Sequence, residues 1–516
     1  MEQAKIKHVI TFLPTGIQFE AVDGCTLLEA QIQAGLKPTA FCGGNGTCGK
    51  CLLDLHRKDG VSRVKACDFH IHEPLTVELL PENQLQDRDF RILAAGDWTF
   101  TASELTLDQA DCYVAACDLG TTTIVVYLLD GTTGKLLAAA SEINPQTHYS
   151  ADLIGRISYA LEHGSEKLTM CVRDMINTLL EKACAKAGIP SSRVSRVCLA
   201  GNCCMHHLFL GLPVSSLAVI PYSPAITDAL ELPASECGLS VCSEGILQVL
   251  PNIAGFVGAD TAACLNTAGF DTLTELTLLL DIGTNGELVL GDQNRRIACS
   301  AAAGPAFEGA RIACGMPACK GAIDHVWLED GKIRFSVIGQ DENPAILPLG
   351  ICGSGLIDAV SVFLETGILD SSGRFLNSYC RPDAPAYAFS DTVFLTQKDI
   401  RELQLAKAAI AAGIQLLCEQ LGITPDQIQR VLLAGAFGNY LNPASACKIG
   451  LIPEILKERI TSVGNAAGIG ACRCACSREE FERTKKLAAE TEFLELAGLK
   501  NFQDAFVENL NFEKEI

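Results

Sequence analysis

The sequence predicts two modules of different class: a short α+β module within residues 1–83, and a longer, two-lobed α/β domain from residue 112 to residue 516. Three observations carry this. A cysteine- and glycine-rich loop, Cys42 to Cys51, lies in the first module. A strand–Asp-x-Gly-Thr–strand pattern occurs twice further on, at Asp118 and Asp281, 163 residues apart. A polar stretch, 84–111, carries Asp87, Asp89, Asp97, Glu104 and Asp108 and reads as the linker between them. The repeat divides the long domain into a first lobe, 112–275, and a second lobe with a C-terminal return segment, 276–516.

The length supports this division. A chain of 516 residues exceeds what one core of ~100–200 residues accommodates. Hydrophobic residues make up 48% and charged residues 20%, as expected for packed globular domains. The formal net charge of −21 argues against nucleic-acid binding, which needs a basic footprint. No run approaches the ~18 apolar residues of a membrane span. Residues 1–12 lack the apolar stretch and cleavage site of an export signal. A cytoplasmic location is therefore expected, and in a reducing compartment the 25 cysteines serve as buried thiols or metal ligands rather than disulfides.

In the first module, Gly24 to Ala34 reads as an amphipathic helix and Leu75 to Leu80 as a strand. Between them, Cys42, Cys48 and Cys51 follow C-x5-C-x2-C, with three glycines inside the first gap and one in the second. Thiolates are the preferred ligands of iron–sulfur clusters. Glycines let backbone N–H groups turn toward sulfur without a Cβ in the way. Cys67, after a gap of fifteen residues from Cys51, is the expected fourth ligand, with Cys25 the alternative. Four thiolates fit a [2Fe–2S] cluster, and a zinc site is the competing use of the same residues. Gly44 to Cys51 also spells G-x-x-x-x-G-K-C, but a P-loop needs Ser or Thr where Cys51 stands.

In the long domain, Tyr113 to Asp118 runs as a strand into Leu-Gly-Thr-Thr-Thr. Strands at Ile124 to Leu129 and Lys135 to Ala140 follow. Leu278 to Asp281 runs into Ile-Gly-Thr-Asn-Gly, followed by strands at Glu287 to Leu290 and from Arg296. Such a turn offers backbone N–H groups and threonine hydroxyls to phosphate oxygens, and its aspartate can hold Mg²⁺. Two such loops could grip a triphosphate from both sides, as phosphoryl chemistry requires. A third loop, Gly435-Ala436-Phe-Gly438, follows the buried strand Arg430 to Leu433 and suits close approach to a base or ribose. Glu308, beside Gly309, is a candidate for orienting water.

These features carry a resemblance. Residues 1–83 resemble a [2Fe–2S] ferredoxin domain, implying a β-grasp fold. The paired loops resemble the actin, sugar-kinase and heat-shock-chaperone superfamily, implying a ribonuclease-H-like fold in each lobe. Together with Asn144-Pro-Gln146, Gly201-Asn202, Gly304 to Gly309 and Gly464-Asn465-Ala-Ala-Gly468, nearly the whole chain is similar to the reductive activators of corrinoid proteins. The resemblance implies a first phosphate loop of Asp118, Gly120, Thr121 and Thr122. It implies a second of Asp281, Gly283, Thr284 and Asn285, with Mg²⁺ at the aspartates and Gly435, Ala436 and Gly438 by the adenosine of ATP. It further implies ATP-driven transfer of one electron to Co(II) of a corrinoid partner, an electron donor and, in keeping with such activators, a homodimer. Longer members have a middle domain for which Leu80 to Tyr113 is too short. The alternative readings are an activator of the 2-hydroxyacyl-CoA dehydratase kind and a redox-sensing small-molecule kinase.

Two smaller features read as structural. His206 and His207, being adjacent, point apart and do not suit joint ligation. Cys472, Cys474 and Cys476 lie in helical sequence, where i,i+2 residues do not share a face. Thr396 to Leu421 reads as a long helix capped by Thr396 and Asp399.

Overall fold

A computed structural model describes residues 6–36, 38, 44, 46, 51–57, 60–80, 105–108, 113–150, 152–283, 285–376 and 385–512. The chain forms two compact units. One holds Met1–Phe90 with Pro145–Tyr159, the other Arg91–Asn144 with Ala160–Ile516. The first unit thus also takes in a short piece of chain from the range expected to form the first lobe.

The first unit contains β1 (Lys7–Leu13), β2 (Ile17–Val22), α1 (Leu27–Gln33), β3 (Leu52–Arg57), β4 (Gly60–Lys65) and β5 (Leu75–Leu79). These form one sheet in the order β2-β1-β5-β3-β4. β1 runs parallel to β5, and the other pairs are antiparallel. Alternate residues Ile10, Phe12, Leu53, Leu55, Leu75 and Val77 enter the core with Leu27 and Leu28 of the helix, the period-2 pattern of a sheet covered on one face. The helix begins later than the sequence suggests. Thr26 is its N-cap, and Thr26 and Glu29 close a reciprocal capping box, which satisfies backbone donors at that point.

Helix α2 (Leu153–His163) begins in the Pro145–Tyr159 piece of the first unit. In the second unit the first lobe is built from β6 (Tyr113–Leu119), β7 (Thr123–Asp130), β8 (Leu136–Ile143), α3 (Glu166–Ala187), β9 (Val194–Gly201), α4 (Cys203–Leu210), β10 (Leu230–Pro233), β11 (Ile246–Val249) and α5 (Ala259–Ala268). The second lobe follows with β12 (Thr277–Ile282), β13 (Gly286–Gly291), β14 (Arg296–Ala301), β15 (Ala322–Glu329), β16 (Lys332–Val337), β17 (Gly350–Ile351), α6 (Gly353–Glu365), β18 (Ala386–Ala388), β19 (Phe394–Thr396), α7 (Gln397–Leu421), β20 (Arg430–Ala434), α8 (Gly435–Tyr440), α9 (Pro443–Lys448), β21 (Ile460–Gly464), α10 (Ala466–Cys476), α11 (Arg478–Ala489), β22 (Glu492–Phe493) and α12 (Phe502–Glu508).

The two sheets repeat one design. In the first, β8-β7-β6 is antiparallel, and β6 continues into parallel β9 and β11. In the second, β14-β13-β12 is antiparallel, and β12 continues into parallel β20 and β21. The internal repeat read from sequence is therefore a repeat of topology. Helices α5 and α10 lie between the sheets. Ala259 and Ala263 of α5 and Ala471, Cys472 and Cys474 of α10 pack with Val114, Val125 and Cys198 of the first sheet. Cys264 and Leu265 of α5 and Ala466 and Ala467 of α10 pack with Leu279, Val289 and Leu432 of the second. Their small side chains let both helices approach both sheets.

The strand expected at Arg430 to Leu433 is β20, which stops at Ala434 where Gly435 takes φ +81° and opens α8. The linker is not free throughout. Leu105 and Leu107 pack with the core around α10, Asp108 accepts from Arg196 Nη1 at 2.7 Å, and its N–H donates to Cys476 O at 3.2 Å. No described helix is long and apolar enough to cross a membrane.

Candidate functional site

The site forms at the ends of the two central strands. β6 and β12 bury apolar runs and carry Asp118 and Asp281 one residue before their ends, and the topology brings these two carboxylates together. Partial burial, which disfavours the charged form, pushes Asp118 up to about 6. Burial and then the Asp118 charge push Asp281 up to about 6. Two further carboxylates complete an acidic cluster that the sequence did not single out. Asp260, in the first turn of α5, is pushed up to about 7 by burial and then by Asp281 and Asp118. Glu287, on β13, is raised by burial and then by Asp260 and Asp281. Such crowding of carboxylates disfavours full ionisation without a counter-cation.

The loop after β6 is held from three sides. Asn144 Nδ2 donates to Gly120 O at 2.8 Å. Asn202 Nδ2 donates to Thr121 Oγ1 at 2.9 Å. Thr122 Oγ1 donates to Glu308 Oε1 at 2.9 Å, so Glu308 reaches from the second lobe to the first loop. After β12, Gly283 N donates to Asn285 O at 2.8 Å, closing the second turn. Thr284 lies outside the described residues. The third loop arrives at the same place. A Cβ on Gly435 would stand 2.5 Å from Asp281 Oδ1, so this position needs glycine both for its positive φ and for the carboxylate beside it. Gly438 instead lies in α8, where a Cβ would stand 3.2 Å from Leu433 Cβ. The backbone of Ala436 belongs to the same helix.

In the first unit, Cys51 and Cys67 are buried as free thiols with their sulfurs 3.3 Å apart. Burial, and next the neighbouring Cys51, push the Cys67 thiol up to about 12, so two thiolates there require a cationic partner. Gly44 and Gly46 have φ +92° and +71°, and Gly46 O accepts from Lys65 Nζ at 3.2 Å. Cys42 and Cys48 lie outside the described residues. Cys25 lies in the turn before α1, its backbone O accepting from Ile71 N.

His207 occupies both ring nitrogens, Nδ1 with Cys203 O at 2.7 Å and Nε2 as acceptor from Ala225 N at 2.9 Å. Cys472, Cys474 and Cys476 are buried on α10, with Cys474 Sγ 3.2 Å from Thr484 Oγ1.

With this geometry in view, comparison with known proteins is direct. A family model described as the RACo middle region matches residues 113–273, and one described as the C-terminal domain of RACo, the ASKHA domain, matches residues 275–516. The chain is 35% identical over 568 aligned residues to the corrinoid activation enzyme RamQ of Eubacterium limosum, covering 93% of this chain and 94% of that protein. The chain belongs to the reductive activators of corrinoid proteins. It is also 25% identical to the [Co(II) methylated amine-specific corrinoid protein] reductase of Methanosarcina barkeri, over 78% of this chain and 77% of that one. A solved reductive activator for corrinoid,iron-sulfur protein shares the fold with a TM-score of 0.69 and 28% identity, over 98% of both chains.

The family match also clarifies what is short here. The segment named the middle region corresponds to the lobe of β6 to β11, so it is present. The alignment with the Eubacterium protein is longer than the 516 residues of this chain, so that protein contains segments without a counterpart here. Asp260 and Glu287 escaped notice in the sequence because neither sits in a glycine loop, and only the packing of α5 between the sheets brings Asp260 to the aspartates.

Proposed function

We propose that this chain uses ATP to reactivate a corrinoid protein, passing one electron to Co(II) and restoring the Co(I) needed for methyl transfer. The observation that carries the reading is the convergence of Asp118 and Asp281 with the glycine loop at Gly435, in a chain that also pairs two buried thiols, Cys51 and Cys67.

We read the first unit as a ferredoxin-like β-grasp domain, on its sheet order and single packed helix. Cys42, Cys48, Cys51 and Cys67 would hold a [2Fe–2S] cluster. The 3.3 Å approach of Cys51 to Cys67 and the positive φ of Gly44 and Gly46 fit that group. When bound, it supplies a one-electron store at low potential, near ~−400 mV for plant-type clusters. A reductant or donor protein of the cytoplasm fills that store.

On the nucleotide side, Gly120, Thr121, Thr122, Gly283, Thr284 and Asn285 would meet the phosphates. Asp118 and Asp281 would hold Mg²⁺, whose charge relieves the crowding of the carboxylates. Gly435, Ala436 and Gly438 would lie toward the adenosine. Glu308 accepts from Thr122, and a nucleotide that engages Thr122 frees this carboxylate to orient water. Nucleotide state would then alter the hold of one lobe on the other, and through it the affinity for the corrinoid partner. Family relationship favours this acceptor over a dehydratase or a phosphorylated metabolite. The reading includes a homodimer.

Two measurements test it. ATP hydrolysis by the pure protein should rise when a Co(II) corrinoid protein is added. Iron bound after anaerobic reconstitution should be lost in Cys67→Ser and retained in Cys25→Ser. Unstimulated turnover across a panel of corrinoid proteins would count against the partner, and iron retained in Cys67→Ser against the ligand set.

A further inference from the structure

The Gly-Asn pairs at 201–202 and 464–465 are built alike, one at the end of β9 and the other at the end of β21. Each follows a parallel strand and opens a helix. Gly201 ends β9 and Asn202 is the N-cap of α4. Gly464 ends β21 and Asn465 is the N-cap of α10. Both asparagines divide their amide in the same way. Asn202 Oδ1 accepts from Met205 N at 3.0 Å and Asn465 Oδ1 from Gly468 N at 2.9 Å, each satisfying a helix N–H that would otherwise lack a partner. The amide nitrogens point the other way, to β6, β7 and the loop between them. Asn202 Nδ2 donates to Thr121 Oγ1 at 2.9 Å. Asn465 Nδ2 donates to Asp118 Oδ2 at 2.7 Å and to Tyr127 OH at 3.0 Å.

We infer that Asn465 and Asn202 are positioning residues for the nucleotide site, fixing the Asp118 carboxylate and the Thr121 hydroxyl against the frames of α10 and α4. The inference rests on the reading that Asp118 and Thr121 meet Mg²⁺ and phosphate. It goes beyond that reading by giving a role to two residues that touch neither.

The chemistry explains the residue type. Only a side chain with both an acceptor and donors can cap a helix and hold a carboxylate at once. Asn465 uses both amide hydrogens and its oxygen and is 7% exposed, so its rotamer is set by three partners. Asp118 lies 347 residues away in sequence, which makes this contact a tie between the end of the chain and the first strand of the domain. The neighbouring glycine belongs to the same device. A Cβ on Gly468 would stand 2.6 Å from Tyr127 OH and 3.0 Å from Asn465 Nδ2, so the first turn of α10 is kept bare where the tyrosine hydroxyl meets the amide. The Asn-x-x-Gly spacing thus encodes a capped helix whose cap faces a carboxylate.

Serine separates the two roles, because it caps a helix about as well as asparagine but is too short to reach Asp118 and carries no amide. Asn465→Ser and Asn202→Ser are compared with wild type for Tm, for ATP affinity with and without Mg²⁺, and for kcat and KM of ATP hydrolysis. In Asn465→Ser, Tm is expected to stay within roughly 2 °C of wild type. Its affinity for Mg-ATP should fall at least about tenfold, while its affinity for ATP without Mg²⁺ is unchanged. Asn202→Ser is expected to weaken ATP binding with or without Mg²⁺, since Thr121 meets phosphate rather than metal. Asn465→Ala, which loses the cap as well, should lower Tm and Mg-ATP affinity together. Wild-type Mg-ATP affinity and turnover in Asn465→Ser would overturn the inference and leave the residue a cap. Absence of Mg-ATP binding in the wild-type protein would instead overturn the reading of the site, and the inference with it.

Discussion

At the scale of single residues, the account depends on groups that carry two obligations at once. Gly435 must adopt a left-handed conformation and leave room for Asp281. Gly435→Ala meets both barriers, a backbone cost of roughly 1 kcal/mol and a Cβ 2.5 Å from Asp281 Oδ1. It should lower Tm by several degrees and weaken Mg-ATP binding, measured by calorimetry, whereas wild-type behaviour in both would remove the loop from the site. His206 makes a different prediction. It is fully buried beside His207, and neither ring nitrogen has a hydrogen-bond partner. Burial, then the His207 charge, lower it to about 3 from an ordinary 6.5. The unfolded chain therefore takes up a proton that the folded chain refuses. This contribution to stability is complete above pH 6.5 and is lost progressively as pH falls from there toward 3, by up to about 1.4 kcal/mol per pH unit. His206→Phe should flatten the fall in Tm between pH 7 and pH 5. An unchanged slope would place the acid sensitivity elsewhere.

At the scale of elements, the strands and the long helix were legible because their signals are local. The Asp118 and Asp281 strands end where apolar runs meet Asp-x-Gly-Thr. β7, β8, β13 and β14 lie within a few residues of their expected ranges, and α7 starts on the expected capping pair, Thr396 and Asp399. One boundary was misread. At α1 the sequence suggested a helix from Gly24, while the cap at Thr26 decided the start. What stayed hidden is long-range. Asp108 reads as a linker residue because its charge is visible in sequence, whereas its partners Arg196, Cys476 and Arg478 are not. The strap it forms over α10 gives a testable cost. Asp108→Ala removes two side-chain contacts and should destabilise the protein by about 1 kcal/mol, seen as a lower Tm with iron content unaltered. No change in Tm would mean that Leu105 and Leu107 hold the strap alone.

At the scale of the whole molecule, the duplicated sheets explain why two weak turn motifs make one site. Each loop alone is an ordinary strand end. The paired sheets set their carboxylates close enough that the Asp118 charge raises the proton affinity of Asp281, and helices α5 and α10 bring Asp260 and Asn465 to the same point. The thiol pair of the first unit adds a second chemistry that a simple ATPase does not need. ATP and a low-potential electron in one chain are explained by an acceptor that is hard to reduce, and the family supplies such an acceptor in the cobalt of a corrinoid protein. The most direct measurement is anaerobic. Reconstituted protein is mixed with a Co(II) corrinoid protein and a reductant, with and without Mg-ATP, and the cobalt absorbance is followed. The account predicts Co(I) that appears only with Mg-ATP and is lost in both Asp118→Ala and Cys67→Ser. Co(I) formed equally without ATP, or formed by either variant at the wild-type rate, would contradict it.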